Sequence, residues 1–129
     1  MIIKAPRLDQ TIYTLPVEKD DIFNLSYVHS VSRQRVEGTF KITETGMIKP
    51  LTTEFDSFGP GLPELDGSIE YEIKNKTFIV YHDEKLREHI RLFVSPLTGE
   101  QLSLHDKVYD LTSHHGHPIL VKIYIHTAD

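Results

Sequence analysis

Apolar and polar residues alternate with period two through most of the chain. In residues 22–31, Phe23, Leu25, Tyr27, His29 and Val31 fall on one side; in residues 36–43, Val36, Gly38, Phe40 and Ile42 do the same. Alternation of this kind marks half-buried strands. A tight turn at Arg33-Gln34 would join the two runs into a hairpin, with Val31 against Val36, Tyr27 against Phe40 and Leu25 against Ile42. Each is an apolar cross-strand pair. The same register sets His29 opposite Gly38, where no side chain competes with the imidazole, and Ser30 opposite Glu37.

A strand over residues 47–55 follows, with Pro50 marking an edge or a bulge. Residues 68–74 and 77–81 read as a second hairpin about Asn75-Lys76, with Ile73 against Phe78 and Tyr71 against Val80. Residues 83–89 read as a turn or one helical turn. Strands are predicted over 90–94, 101–104, 107–111 and 119–125. About eight or nine short strands imply an all-β domain, a small antiparallel β-barrel or β-sandwich. Closure into a barrel would hide the sheet edges.

The 129 residues, 39% hydrophobic and 26% charged, make one globular domain over residues 1–129. Fourteen basic residues against nineteen acidic ones give a net charge of −5, without the basic excess of a nucleic-acid binder. No apolar run approaches the ~18 residues of a membrane span. The absence of cysteine removes disulfides, thiolate metal sites and thiol nucleophiles.

Candidate chemistry is sparse. His29 and Ser30 are neighbours in sequence, but successive strand residues point to opposite faces, which separates them as a nucleophilic pair. His29 is expected on the inward face, neutral and hydrogen-bonded, and Ser30 is expected on the outer face with Glu37. The segment Ser57-Phe58-Gly59-Pro60-Gly61-Leu62-Pro63 is a Gly/Pro loop with no helix pattern after it, so it reads as a rigid corner or a rigid contact loop. Positive φ is expected at Gly59 or Gly61. His114-His115-Gly116-His117 is the one metal-like cluster. Asp106 or Asp110 could complete it only by tertiary accident, so His114, His115 and His117 read first as a solvated turn. The acid pairs Asp20-Asp21 and Asp83-Glu84 lie at turns, where solvated carboxylates are the rule. No catalytic set and no cofactor is implied.

The combination Phe23-x-Leu25-x-Tyr27-x-His29-Ser30-Val31, then Val36-Glu37, then Phe55-x-Ser57-Phe58-Gly59-x-Gly61-Leu62-Pro63 resembles domain-of-unknown-function family 1850, an uncharacterised bacterial family. The likeness extends to the C-terminal strand. Gln34-Arg35 stands where Thr-Pro is common and Pro60 where Ala is common, both in loops. Members of that family are often encoded beside TRAP transporters of the TAXI type and usually carry an N-terminal hydrophobic anchor. The resemblance therefore implies an extracytoplasmic, periplasmic accessory domain, with the transporter's substrate-binding or membrane subunits as partners. The family's start falls near Met1-Ile2-Ile3, so an anchor is expected upstream. The family has no assigned reaction, and Tyr27, His29, Ser30, Glu37, Ser57, Phe58, Gly59, Gly61 and Pro63 are motif positions offered as contact residues. The expected activity is non-enzymatic protein–protein contact. The alternative is a small-ligand or metal-binding barrel.

Overall fold

In the computed structural model, residues 1–29, 31, 33–56, 71–75, 77–82, 85–112 and 118–126 are described. They contain eleven strands: β1 (Ile2–Ala5), β2 (Gln10–Thr14), β3 (Ile22–Val28), β4 (Arg35–Ile42), β5 (Ile48–Phe55), β6 (Tyr71–Lys74), β7 (Thr77–Tyr81), β8 (His89–Val94), β9 (Gln101–Leu104), β10 (Lys107–Asp110) and β11 (Ile119–Tyr124). A single 3-10 turn at Pro6–Leu8 is the one helical element among the described residues, and none of their helices could cross a membrane. Every strand pairing is antiparallel.

The strands form two sheets, a smaller one ordered β2-β1-β11-β8 and a larger one ordered β10-β9-β3-β4-β5-β7-β6. The fold is therefore all-β and sandwich-like, not a closed barrel. The larger sheet ends on two four-residue strands, β6 and β10. Short edge strands blunt the templates that barrel closure would have removed. Ile3, Val121, Ile123, Ile90 and Val94 from the smaller sheet meet Phe23, Leu25, Ile42, Ile48, Leu102 and Leu104 from the larger in one buried core. A second cluster, Val36, Phe55 and Val80 with Tyr27 and Phe78 packed against it, lies farther along the larger sheet.

The first hairpin keeps its predicted faces but not its predicted register. Phe23 pairs with Phe40, Leu25 with Gly38, Ser26 with Glu37 and Tyr27 with Val36. The connection is a longer loop in which the His29 N–H donates to the Gln34 carbonyl at 2.7 Å, the Arg33 N–H donates to the His29 carbonyl at 2.8 Å, and Arg33 takes φ 60°. Direct opposition lets the Phe23 and Phe40 rings stack, centroids 5.3 Å apart and 18° from parallel. The slip is even, so no side chain changes face. All five predicted pairs fail with it, since Val36 now faces Tyr27, Phe40 faces Phe23 and Gly38 faces Leu25. Val31 is 61% exposed, His29 is not opposite Gly38, and Glu37 faces Ser26 rather than Ser30.

Gly38 makes room for a benzene ring, not an imidazole. A Cβ there would sit 3.0 Å from Phe40 Cε2 and 3.3 Å from Cζ. Gly38→Val is expected to push Phe40 off Phe23 and destabilise the domain by about 1–3 kcal/mol, read as a lowered midpoint in urea unfolding.

The second hairpin and the irregularity at Pro50 form as the alternation predicts. Ile73 pairs with Phe78 and Tyr71 with Val80, about a turn with Asn75 at φ 52°. On β5, Thr39 meets Thr52 while Phe40 meets Pro50, which leaves Leu51 as the extra residue of a bulge beside Pro50. No helix forms among the described residues near 83–89. Instead Arg87 exchanges backbone hydrogen bonds with Ile48, both at 2.8 Å, and β8 follows. Asp20 and Asp21 are more than solvated acids: Asp20 pairs with Lys41 at 3.3 Å, and Asp21 Oδ2 accepts the Glu18 N–H at 2.8 Å and lies 3.0 Å from His105 Nε2.

Candidate functional site

The chain crosses from the smaller sheet to the larger between β8 and β9, through residues 95–100. Pro96 stops the β8 ladder and Gly99 takes φ 56°, with open space where a Cβ would be. Conformation, not crowding, calls for glycine there. The Gly99 N–H donates to the Ser95 carbonyl at 2.9 Å and closes the turn. The Val28 N–H donates to the Thr98 carbonyl at 2.8 Å and ties the turn to the end of β3. A cleft of about 340 Å³ opens between these elements, lined by Tyr27, Val28, His29, Leu92, Phe93, Thr98 and Glu100.

Glu100 is the one carboxylate among the residues that line this cleft. It is only 4% exposed. Its carboxylate accepts the Ser95 N–H at 3.2 Å on Oε1 and the Thr98 hydroxyl on both oxygens, at 2.6 Å on Oε2. Among the described residues no lysine, arginine or histidine is in ion-pair contact with it. A buried carboxylate held by neutral donors alone keeps a strong demand for a cation or a further donor.

Tyr27 packs its ring against the second core cluster and lines the same cleft. Burial, and then the nearby Glu100 charge, raise its phenol above the ordinary tyrosine range. The hydroxyl therefore holds its proton beyond the range of an ordinary tyrosine. A raised phenol leaves stability untouched below pH 10, where both states are protonated. Above that the unfolded chain loses the proton first, so stability falls as pH rises toward the folded-state value. Ultraviolet titration is expected to show Tyr27 ionising late. Tyr27→Phe should remove that late step and soften the alkaline loss of stability. In Glu100→Gln the step should move down but not reach the ordinary value, because burial is the larger cause.

His29 sits just past the end of β3, half-buried, and not in the core. Its Nδ1 accepts the Val31 N–H at 3.2 Å. That contact puts the proton of the neutral ring on Nε2. The expectation of an inward-facing core histidine is corrected: β3 ends at Val28, so His29 belongs to the loop and to the rim of the cleft.

Tyr27 and His29 are thus brought together, while Glu37 is not. It lies on the other face of β4, opposite Ser26 and Glu54, beside Arg35 and Asp56 at a shallow hollow. Ser30, Ser57, Phe58, Gly59, Gly61, Pro63, His114, His115 and His117 lie outside the described residues, as does the expected positive φ at Gly59 or Gly61. Asp110 Oδ1 accepts from the Thr112 N–H and hydroxyl, both at 2.7 Å, and so holds a turn; Asp106 is in the β9–β10 turn at φ 62°. No group of three metal-ligating side chains occurs among the described residues.

Glu100 is not among the sequence candidates, although the sequence carries a signal for it. In the alternating run Glu100-Gln101-Leu102-Ser103-Leu104, it shares the parity of Leu102 and Leu104, both buried. A carboxylate at an inward position of a strand entry is the kind of exception that marks a site.

The sequence profile of a family described as a domain of unknown function, DUF1850, matches residues 23–111, more than half of the chain. The match spans both sides of the cleft, from β3 to the end of β10. No curated protein and no solved structure gives a significant match.

Proposed function

The chain belongs to the DUF1850 family, and from that premise we propose that it is a non-enzymatic accessory domain outside the cytoplasmic membrane, serving a TRAP-type, TAXI-class uptake system by protein–protein contact. The cleft is the contact site. It takes a cationic side chain, lysine or arginine, from the substrate-binding protein or a membrane subunit. The observation that carries this reading is the buried Glu100 carboxylate, which lines an open cleft and, among the described residues, is held only by neutral donors. The Tyr27 phenol beside it, raised by burial and by the Glu100 charge, offers a hydrogen-bond donor to an occupant of the cleft. The transporter half of the reading rests on the family resemblance of the β3 motif and the Gly/Pro loop.

The test is co-purification of the full chain with the transporter's subunits in mild detergent. Retention is expected, and Glu100→Gln is expected to weaken it about tenfold or more, the worth of one charge-assisted hydrogen bond. A parent chain that repeatedly fails to be retained contradicts the reading. A cleft of about 340 Å³ also falls within the range of small-molecule sites, so the rival occupant is a free amine or guanidine solute. Thermal-shift screening with such solutes separates the two.

A further inference from the structure

The outer face of the smaller sheet carries a row of like charges. Lys4 on β1 pairs with Lys122 on β11, and Lys122 pairs with Arg91 on β8. Their neighbours Ile3, Val121, Ile123, Ile90 and Val94 are buried in the core, so these three cations point away from it. The rest of that face is Ile2, Thr11, Thr14, Leu120, Tyr124, His89 and Phe93, with no carboxylate in any register position. Arg7, from the 3-10 turn, lies over the Phe93 ring at 5.7 Å. Lys4 and Lys122 both lie over the Tyr124 ring, at 5.5 and 5.3 Å. Among the described residues none of the four cations is in an ion pair.

Like charges directly opposite one another destabilise a sheet. Three in a row across adjacent strands, on a chain whose net charge is −5, are a standing cost that a bound anion would remove. We propose that this face docks on an anionic lipid surface, its cations meeting lipid phosphates and its Tyr124 and Phe93 rings lying at the headgroup level. The face shares Phe93 with the rim of the cleft but none of its cations, and the proposal does not rest on what the cleft binds.

Three features favour a lipid surface over an acidic protein. Two of the three cations in the row are lysines, a residue depleted in protein–protein interfaces but fully effective against a phosphate surface. Rings flanked by lysine and arginine are the composition of interfacial segments, where aromatic bodies sit at the boundary and cations reach the phosphates. Phe93 is 60% exposed and Leu8 beside Arg7 is also exposed, which gives the face apolar contact area as well as charge.

The test is sedimentation of the full chain with vesicles of phosphatidylcholine alone and of equal parts phosphatidylcholine and phosphatidylglycerol. The parent is expected to bind only the second, and to be released as added salt shortens the screening length. The triple variant Lys4→Gln/Arg91→Gln/Lys122→Gln should bind roughly a hundredfold more weakly. It should unfold no earlier than the parent, because it relieves the cross-strand repulsion. Lys4→Arg/Lys122→Arg should bind like the parent. Lys49→Gln/Lys74→Gln/Lys107→Gln removes the same charge from the larger sheet and should also leave binding intact. Equal binding to both vesicle types overturns the proposal, and so does a control triple variant that falls as far as the face variant. Retention by immobilised polyglutamate without binding to anionic vesicles overturns it in favour of an acidic protein partner.

Discussion

Phe23→Ala is expected to cost the domain about 3–5 kcal/mol, a large part of the 5–15 kcal/mol that separates a typical domain from its unfolded chain. Phe23 is fully buried on an interior strand of the larger sheet, where β3 lies between β4 and β9. Its ring stacks on Phe40, and it pairs across β9 with Leu104. Removing it opens a cavity that strands held on both sides cannot close. Urea unfolding should show a much lower midpoint with a similar slope. Phe40→Ala should cost less, because Phe40 is only half-buried. Equal stability of Phe23→Ala and the parent would mean that the stacked pair does not anchor the sandwich.

Glu100 is expected to separate stability from recognition. Glu100→Ala removes the acceptor of the Ser95 N–H and of the Thr98 hydroxyl, which should cost about 1–3 kcal/mol. Thr98 recovers part of this by turning its hydroxyl to the Ser95 carbonyl, 3.4 Å away. Glu100→Gln keeps one carbonyl acceptor for the Ser95 N–H and should unfold close to the parent. It loses the charge, so it should lose recognition of a cationic group by about tenfold or more. A Glu100→Gln protein that binds as the parent does, while Glu100→Ala is unstable, would reduce Glu100 to a turn-holding residue.

What the sequence made legible follows from parity. Alternation assigns each residue a face, and an even slip of register leaves the faces intact. The inward positions Phe23, Leu25, Val36 and Ile42 were therefore readable even though the pairing across the first hairpin was not. The second hairpin was readable down to its pairs because Asn75 tolerates the left-handed backbone that a two-residue turn needs. In the first hairpin that conformation falls on Arg33, inside a longer loop that no residue type announces. β1 and β2 were not assigned from the sequence. β1 is four residues long and preceded by apolar Met1, and a bulge breaks the alternation of β2 between Thr11 and Tyr13. The cleft was half legible. Tyr27 and His29 stand out in the sequence, but Glu100 reaches Tyr27 only because β9 pairs with β3, Gln101 against Ser26, a long-range pairing that local pattern does not carry.

The central claim is that the cleft beside Glu100 recognises a cation. Its most direct test is an amide-detected NMR titration of the full chain with methylguanidinium chloride, run on the parent and on Glu100→Gln. Saturable shifts are expected at Val28, His29, Thr98, Gly99 and Glu100 in the parent, with their loss in the variant. Shifts of equal size in both proteins, or none at these residues in the parent, would contradict it.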